Sequence, residues 1–344
     1  MAIILGIEST AHTFGIGIVK NGKVLSNVRD MYSTQEGGII LPEAAKHHRE
    51  NSERIYSESL EKSGIKEKDI DAIAFSQGPG LSPCLSEGIK FAKKIAEKLG
   101  KPLVPVNHCV AHLEIGKITG AKNPVMLYAS GANTQIIAYE SGKYRIFGET
   151  LDIGVGNFID NFARKLGIGF PGGPSIQKLA EKSKNYIELP YVVKGMDISL
   201  SGILTNLKQK FDSKRYSKED LAYSMQETVF AMLIEISERA LAHTGKKELL
   251  LGGGVACNSR LQEMCKKMCD ERMIKSFTDL SKRQIKEKTK FFVPPRDLLV
   301  DNGAMIAFLG EIMFKKKIKI EKKDFDKLDI KPKQRTDEVE VKWR

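Results

Sequence analysis

The sequence predicts an α/β protein of two lobes built on a duplicated core, and three observations predict it. A strand–turn–strand–hairpin pattern occurs twice, 120 residues apart. Glycine-rich turns follow apolar runs and precede helical stretches at several points along the chain. The length of 344 residues suits two domains on a scale of about 150 residues each. Hydrophobic content of 41% and charged content of 28% are those of an ordinary soluble globular protein.

In the first copy, Ile3-Ile4-Leu5-Gly6-Ile7, Gly15-Ile16-Gly17-Ile18-Val19 and Lys23-Val24-Leu25 read as strands. Ser9-Thr10 turns between the first two, and Asn21-Gly22 is a strong hairpin signal before the third. The second copy runs from Val125-Met126-Leu127-Tyr128-Ala129 through the turn Ser130-Gly131-Ala132-Asn133-Thr134 to Ile136-Ile137-Ala138-Tyr139 and the hairpin Ser141-Gly142. The two hairpins superpose without a gap, and Lys143 then matches Lys23. A period this long is domain duplication, not a solenoid; two unrelated hairpins are the competing reading. A small-hydroxyl turn between core strands, repeated in each half, is the pattern of a two-lobed nucleotide binder of the actin, sugar-kinase and heat-shock-ATPase type. In that fold, backbone N–H groups of both turns approach phosphate in the cleft. The expected division is a first lobe at 1–123 completed by a helix at 301–315, a second lobe at 124–300, and a tail at 316–344.

Three more turns suit such a cleft. Leu249-Leu250-Leu251 runs as a buried strand into Gly252-Gly253-Gly254, after which Val255 to Leu261, including Asn258, opens a helix. Glycines let backbone approach a ligand, and a helix N-terminus favours an anion. No Gly-Lys-Ser/Thr follows, so this is not a Walker loop. Phe170-Pro171-Gly172-Gly173-Pro174 is similar, with little room expected for a side chain at Gly172 and Gly173. Ser76-Gln77-Gly78-Pro79-Gly80 lies between the strand Ala72-Ile73-Ala74-Phe75 and a helix from Pro83. Any of these turns has a purely structural alternative.

His108 and His112 are the residues with the most pointed chemistry. If the stretch after Leu103-Val104-Pro105-Val106 is helical, their spacing puts both imidazoles on one face, one turn apart. Imidazole is the commonest protein metal ligand, and the chain has only six His, so the pair does not come from a His-rich segment. Cys109 occupies the place where a zinc protease has its general-base Glu, which argues against a protease. A helix carrying two satisfied histidines remains the alternative. Asp301, before Asn302-Gly303-Ala304, is expected at the N-cap of a late helix, or else as the hard oxygen ligand completing a two-His, one-carboxylate site.

Composition bounds the rest. The amino terminus has no basic n-region, its apolar run is too short for a signal peptide, and no stretch approaches the roughly 20 apolar residues of a membrane span. Five Cys form no disulfide framework, which points to a reducing cytosol, and Cys265 and Cys269 read as structural. The net charge is +12, with lysines clustered at Lys282 to Lys290 and Lys315 to Lys323. Such runs are commonly solvated faces, yet a nucleic acid is the first partner class that this charge suggests.

Taken in order, these motifs resemble the tRNA threonylcarbamoyltransferases, the catalytic subunit of the archaeal and eukaryotic KEOPS assembly. The resemblance rests on Leu5-Gly6-Ile7-Glu8-Ser9-Thr10-Ala11-His12-Thr13, Ser76 to Gly80, His108 to His112, Tyr128 to Gln135, Gly156-Asn157-Phe158-Ile159-Asp160, Phe170 to Pro174, Lys194-Gly195-Met196-Asp197, Gly252 to Asn258, Val300 to Ala307, and Arg335 to Val341. It implies the actin-like fold and one divalent metal per chain, Fe(2+) ahead of Zn or Mg, on His108, His112, Asp301 and often Tyr128. It implies ATP or an adenylate held by Tyr128, Ala129, Ser130, Gly131, Ala132, Asp160, Gly173, Gln177 and Asn258. The implied reaction moves a threonylcarbamoyl group from threonylcarbamoyl-adenylate to adenine N6 of tRNA in the cytoplasm. The implied partners are the other KEOPS subunits, including a small atypical protein kinase and a dimerising subunit.

The chain departs from the family pattern at a few places. Gln177 stands where relatives carry an acid, Ile40-Leu41-Pro42-Glu43 replaces His-Pro-Arg-Glu, and an expected Arg near Ser86 and Glu87 is missing. The stretch Asp270 to Lys290 is longer than usual. The rival readings are an ATPase or kinase of the same fold, which has no need of His108 and His112, and a nucleotide-binding scaffold of a tRNA-modifying complex. No side chain stands out in the sequence as a proton acceptor.

Overall fold

The computed structural model describes residues 2–35, 37–277 and 284–344. The first half contains β1 (Ile3–Glu8), β2 (Thr13–Lys20), β3 (Lys23–Met31), α1 (Leu41–Ser63), β4 (Ala72–Gly78), α2 (Ser82–Leu99), β5 (Leu103–Asn107) and α3 (His108–Ile115). The second contains β6 (Val125–Ala129), β7 (Thr134–Glu140), β8 (Lys143–Glu149), α4 (Val155–Lys165), α5 (Gly173–Ala180), β9 (Val193–Lys194), β10 (Asp197–Ile198), α6 (Ser201–Asp212), α7 (Lys218–Thr244), β11 (Glu248–Gly252) and α8 (Ser259–Glu271). It continues through β12 (Met273–Phe277), β13 (Gln284–Lys288), β14 (Lys290–Phe292) and α9 (Arg296–Leu299) to α10 (Gly303–Lys315).

The two principal sheets have the same topology. The first is ordered β3-β2-β1-β4-β5 and the second β8-β7-β6-β11-β14. In each, three antiparallel strands in sequence order are followed by two that join in parallel. The expected hairpins close both copies alike: Asn21 and Gly22 have φ of 51° and 72°, Ser141 and Gly142 of 51° and 81°. Positive φ at both central residues matches the twist of the flanking strands, which is why short polar residues and glycine occupy these positions.

Alternation along the strands builds the layers. Ile4 faces one apolar cluster while Leu5 and Ile7 face another, lined by Ile55 and Tyr56 of α1 and by Ile89 and Phe91 of α2. In the second sheet Val125 and Leu127 face α4, α6 and α7, whereas Met126 and Tyr128 face the cluster that also holds Ile4. That shared cluster contains Val110 and Leu113 of α3 and Met305 to Leu309 of α10, so α3 and α10 lie between the two sheets. The architecture is α-β-α-β-α. Strands covered on both faces read as nearly continuous apolar runs, as all six residues of β1 do in being buried.

Glycine sets how closely α10 sits on the first sheet. A Cβ on Gly6 would lie 2.2 Å from the Ala307 amide nitrogen, and one on Gly17 2.3 Å from that of Ala304. Substitution at either would lift α10 and move Asp301, which immediately precedes its cap. After α10 the chain pairs Ile320 with Leu103 at the edge of β5 and then crosses to the second sheet. There Thr336 donates to Gln135 at 3.3 Å and Arg335 pairs with Glu149 at 3.2 Å.

Three expectations change. β4 continues through the predicted turn to Gly78. Asn302, not Asp301, caps α10, its side chain accepting from the Met305 amide at 2.9 Å. Gly172 is as crowded as expected, with Ala163 Cβ 2.3 Å from an added Cβ, but the space at Gly173 is open. Part of the long stretch Asp270 to Lys290, residues 278–283, lies outside the described residues, and Lys282 with it. All five Cys are free thiols, and Cys265 and Cys269 are buried in the second lobe's core.

Candidate metal centre and nucleotide cleft

β5 ends at Asn107, whose side chain accepts from the Val110 amide at 3.0 Å and so starts α3 without a break. His108 and His112 then project from consecutive turns of a helix buried at every position. With Asn302 capping α10, the Asp301 carboxylate is released to face them. Its Oδ1 lies 3.2 Å from His112 Nε2 and 3.4 Å from His108 Nε2. Candidate donor atoms of the three residues all fall within 4.8 Å of one another. Ligands about 2.1 Å from a tetrahedral metal are about 3.4 Å apart, which the two distances from Asp301 to the imidazoles match. Tyr128 OH lies 3.1 Å from His108 Nε2, on the same side of the ring.

Glu8 orients His108. Its Oε2 accepts from His108 Nδ1 at 3.0 Å, while Oε1 accepts from the Thr10 amide at 2.7 Å and the Thr10 hydroxyl at 2.5 Å. A carboxylate holding one ring nitrogen leaves the other free to bind metal, which is the usual outer support of a ligating histidine. His112 Nδ1 is buried without a hydrogen-bond partner among the described residues.

The charges explain one another. Burial opposes a charge on His108, but Glu8 and Asp301 outweigh it and hold its pKa well above the usual imidazole value. For Asp301, burial would raise the pKa, yet the two histidines bring it well below the ordinary carboxylate range. Burial lowers the pKa of His112, and the neighbouring His108 adds to that. Burial also raises the Tyr128 phenol well above its usual value, so the phenol is neutral at pH 7.

The residues expected to hold the nucleotide make two sets of local contacts. Gly253, at φ 90°, packs its backbone on the turn after Tyr128, where an added Cβ would lie 2.4 Å from Ala129 O. The Ser130 and Gly131 carbonyls each accept at 2.9 Å from the Gly156 and Asn157 amides. Ala132 backs onto Gly154, whose added Cβ would lie 2.4 Å from Ala132 O. Asp160 accepts from the Gly172 amide at 2.8 Å, which offsets part of the upward push of burial on its pKa. Gly173 opens beside it. Gln177 donates to Ser259 Oγ at 2.9 Å, so the neutral residue in place of an acid ties α5 to the start of α8. Asn258 caps α8 through its carbonyl and donates to Gln226 at 3.0 Å. Near the missing Arg, Glu87 pairs with Arg49 at 3.1 Å and Lys90 at 3.2 Å.

Sequence reasoning assigned no role to Glu8 or His12, and read Thr10 only as part of the turn after β1. A fully buried acid closing an apolar strand was the available signal for Glu8. His12 meets Phe170 edge-on at 5.2 Å. Burial lowers its pKa, while Asp301, Asp160 and Glu8 pull the other way.

A two-lobed actin-like protein with a buried His–His–carboxylate cluster between its sheets is the class that fold and site define. Among solved structures, HypF from T. kodakarensis is similar over 91% of this chain and 48% of its own, with a TM-score of 0.62 at 16% identity, a likeness of fold. The profile of the family described as tRNA N6-adenosine threonylcarbamoyltransferase matches residues 23–308. A protein of that name from Thermococcus sibiricus is 54% identical over 341 residues, covering 99% of this chain and 100% of its own. A "probable bifunctional tRNA threonylcarbamoyladenosine biosynthesis protein" from Methanosarcina mazei is 47% identical over 344 residues, 99% of this chain and 59% of its own. The chain belongs to the tRNA N6-adenosine threonylcarbamoyltransferase family, and is a transferase.

Proposed function

We propose that this protein transfers the threonylcarbamoyl group of threonylcarbamoyl-adenylate to N6 of the anticodon-adjacent adenosine in tRNAs reading codons that begin with adenine, releasing AMP. The observation that carries this reading is the convergence of His108, His112 and Asp301 beside the duplicated turns, in a chain of this family. The adenine N6 lone pair attacks the carbamate carbonyl carbon, the bond from that carbon to the phosphate oxygen breaks, and N6 loses one proton. A bound metal supplies Lewis-acid polarisation of the transferred carbonyl.

The chain's own groups hold and orient. His108, His112 and Asp301 hold the ion, with Tyr128 beside them, and Glu8 fixes the His108 ring. Two imidazoles with one carboxylate suit Fe(2+) ahead of Zn or Mg. The turn of Tyr128, Ala129, Ser130, Gly131 and Ala132 approaches the phosphate, and Asp160 accepts from ribose hydroxyls. Gly173 leaves room for the nucleotide, and Gln177 and Asn258 line its far side. The lobes divide at 123/124, with 301–315 belonging to the first and 316–344 forming a tail.

The protein acts in the cytoplasm with the other KEOPS subunits, a small atypical protein kinase and a dimerising subunit among them. The relative named bifunctional, which extends beyond this chain's length, supports a joint assembly. Among the described residues no helix is long and apolar enough to cross a membrane.

The test is mass spectrometry of nucleosides from tRNA incubated with threonylcarbamoyl-adenylate, the chain and the partner subunits. Threonylcarbamoyladenosine is the expected product. Its absence, where a known homologue forms it, would leave nucleotide binding without transfer.

A further inference from the structure

We propose that the groove formed by Ser82, Lys331, Lys333 and Gln334 binds the sugar–phosphate backbone of the tRNA next to the nucleotide being modified. This rests on the transfer function proposed above and names the surface by which that substrate is held. The groove has a volume of about 610 Å³ and is lined by Ser82, Lys331, Pro332, Lys333, Gln334 and Glu338. Lys331 and Lys333 are exposed. Among the described residues neither has an ion-pair partner, although the neighbouring Lys327, Arg335 and Lys342 are all paired. The one carboxylate in the lining, Glu338, is turned to the Arg335 amide, which it accepts at 3.1 Å.

Two independent links tie this groove to the metal centre. Gln334 accepts from Asn107 Nδ2 at 3.1 Å, and Asn107 is the residue that caps the helix of His108 and His112. On the other wall, the Leu81 amide donates to Thr10 O at 2.7 Å, and the Thr10 hydroxyl lies 3.3 Å from His108 Nδ1. The segment is held rigidly between them. Lys331 N donates to Gln77 O at 2.8 Å, Gly80 N to Pro332 O at 3.1 Å, and Gln77 Nε2 to Asp329 O at 2.7 Å. Gly78 has no side chain because the Lys331 carbonyl would lie 1.9 Å from its Cβ. The two lysines are therefore carried on a fixed backbone a few residues from the reacting centre.

The chemistry of the lining selects a polyanion. Ammonium, hydroxyl and amide groups are the side chains that contact phosphate and sugar, and they fix register without reading sequence. Pro332 is the one apolar residue among those that line the groove.

Binding of a fluorescently labelled tRNA to the full-length chain tests this, measured from low to moderate salt for the wild type, Lys331→Glu/Lys333→Glu and Lys331→Arg/Lys333→Arg. Two phosphate contacts contribute about 1.4 to 1.8 to the slope of log affinity against log salt. The charge-reversed variant should lose that much slope and on the order of tenfold in affinity. The arginine variant should retain both. Because both side chains are exposed and unpaired, thermal stability and metal content should not change. Equal affinity and slope in wild type and reversed variant overturn the inference. So does unchanged tRNA binding with weakened assembly with a partner subunit, which assigns the groove to an acidic protein. Absence of tRNA binding by the wild type, alone and together with the partner subunits, would remove the functional reading and this inference together.

Discussion

Replacing Arg344 by Ala should destabilise the helix that carries both histidines. Glu114, on that helix, is fully buried and accepts from Tyr144 OH at 2.6 Å and from Arg344 Nη2 and Nε at 2.5 and 3.2 Å. Lys117 also pairs with it. The Arg344 guanidinium lies 4.3 Å from the centre of the Tyr139 ring and 5.4 Å from that of Tyr144. Removing one partner of a buried ion pair costs about 3–5 kcal/mol. Tyr144 and Lys117 remain to Glu114, so the lower end applies, and lost cation–π contact adds about 0.5–1 kcal/mol. The expected loss is about 3.5–4 kcal/mol, or roughly 7–8 °C in Tm at about 2 °C per kcal/mol for a long chain.

The pH dependence gives the signature. Burial raises the Glu114 pKa, but Arg344 and Lys117 pull harder and bring it below the ordinary value of 4.5. A depressed carboxylate contributes stability that is present above its unfolded pKa and lost as pH falls through its folded one. Without Arg344 the depression is smaller. The penalty of Arg344→Ala should be complete at pH 7 and shrink below pH 4.5, and should largely vanish in a Glu114→Gln background. Thermal unfolding of the four chains across pH measures this. A Tm change under about 1 °C, or an equal change with Gln at 114, would refute the coupling.

Four other outcomes are expected. His112→Ala should remove most of the bound metal, since a site with three protein ligands rarely survives the loss of one; equal metal in both proteins by elemental analysis would sink the ligand assignment. Glu8→Gln should keep the fold but weaken metal affinity about 10- to 100-fold, as loss of outer support to a ligating histidine does; a chelator competition titration reads this, and an unchanged affinity counts against it. Burial brings the His48 pKa down to about 4, so stability should be present above pH 6.5 and fall between 6.5 and about 4, by up to about 3 kcal/mol. His48→Phe should flatten that part of the curve, and a persistent slope would assign it elsewhere. Asp160→Ala should weaken adenine-nucleotide binding, from a wild-type affinity in the millimolar to micromolar range or about −4 to −8 kcal/mol, without unfolding the chain; unchanged calorimetric affinity would dissociate Asp160 from the ribose.

The duplication was legible in the chain because it is written in local chemistry. Asn21-Gly22 and Ser141-Gly142 need positive φ whatever surrounds them, and β1 and β6 are apolar runs in any context. The spacing of His108 and His112 likewise needed only one helix to place both rings on one face. What the chain could not declare was which of two neighbouring polar residues caps α10, because Asp and Asn cap equally well. In the folded chain Asn302 turns to the helix and Asp301 to the histidines. Glu8 and His108 are 100 residues apart and His112 and Asp301 are 189 apart, and these pairs meet only when α3 and α10 are enclosed between the sheets. Local propensity acts over a few residues; a buried charge finds its partner only through the tertiary fold, where desolvation makes that partner obligatory.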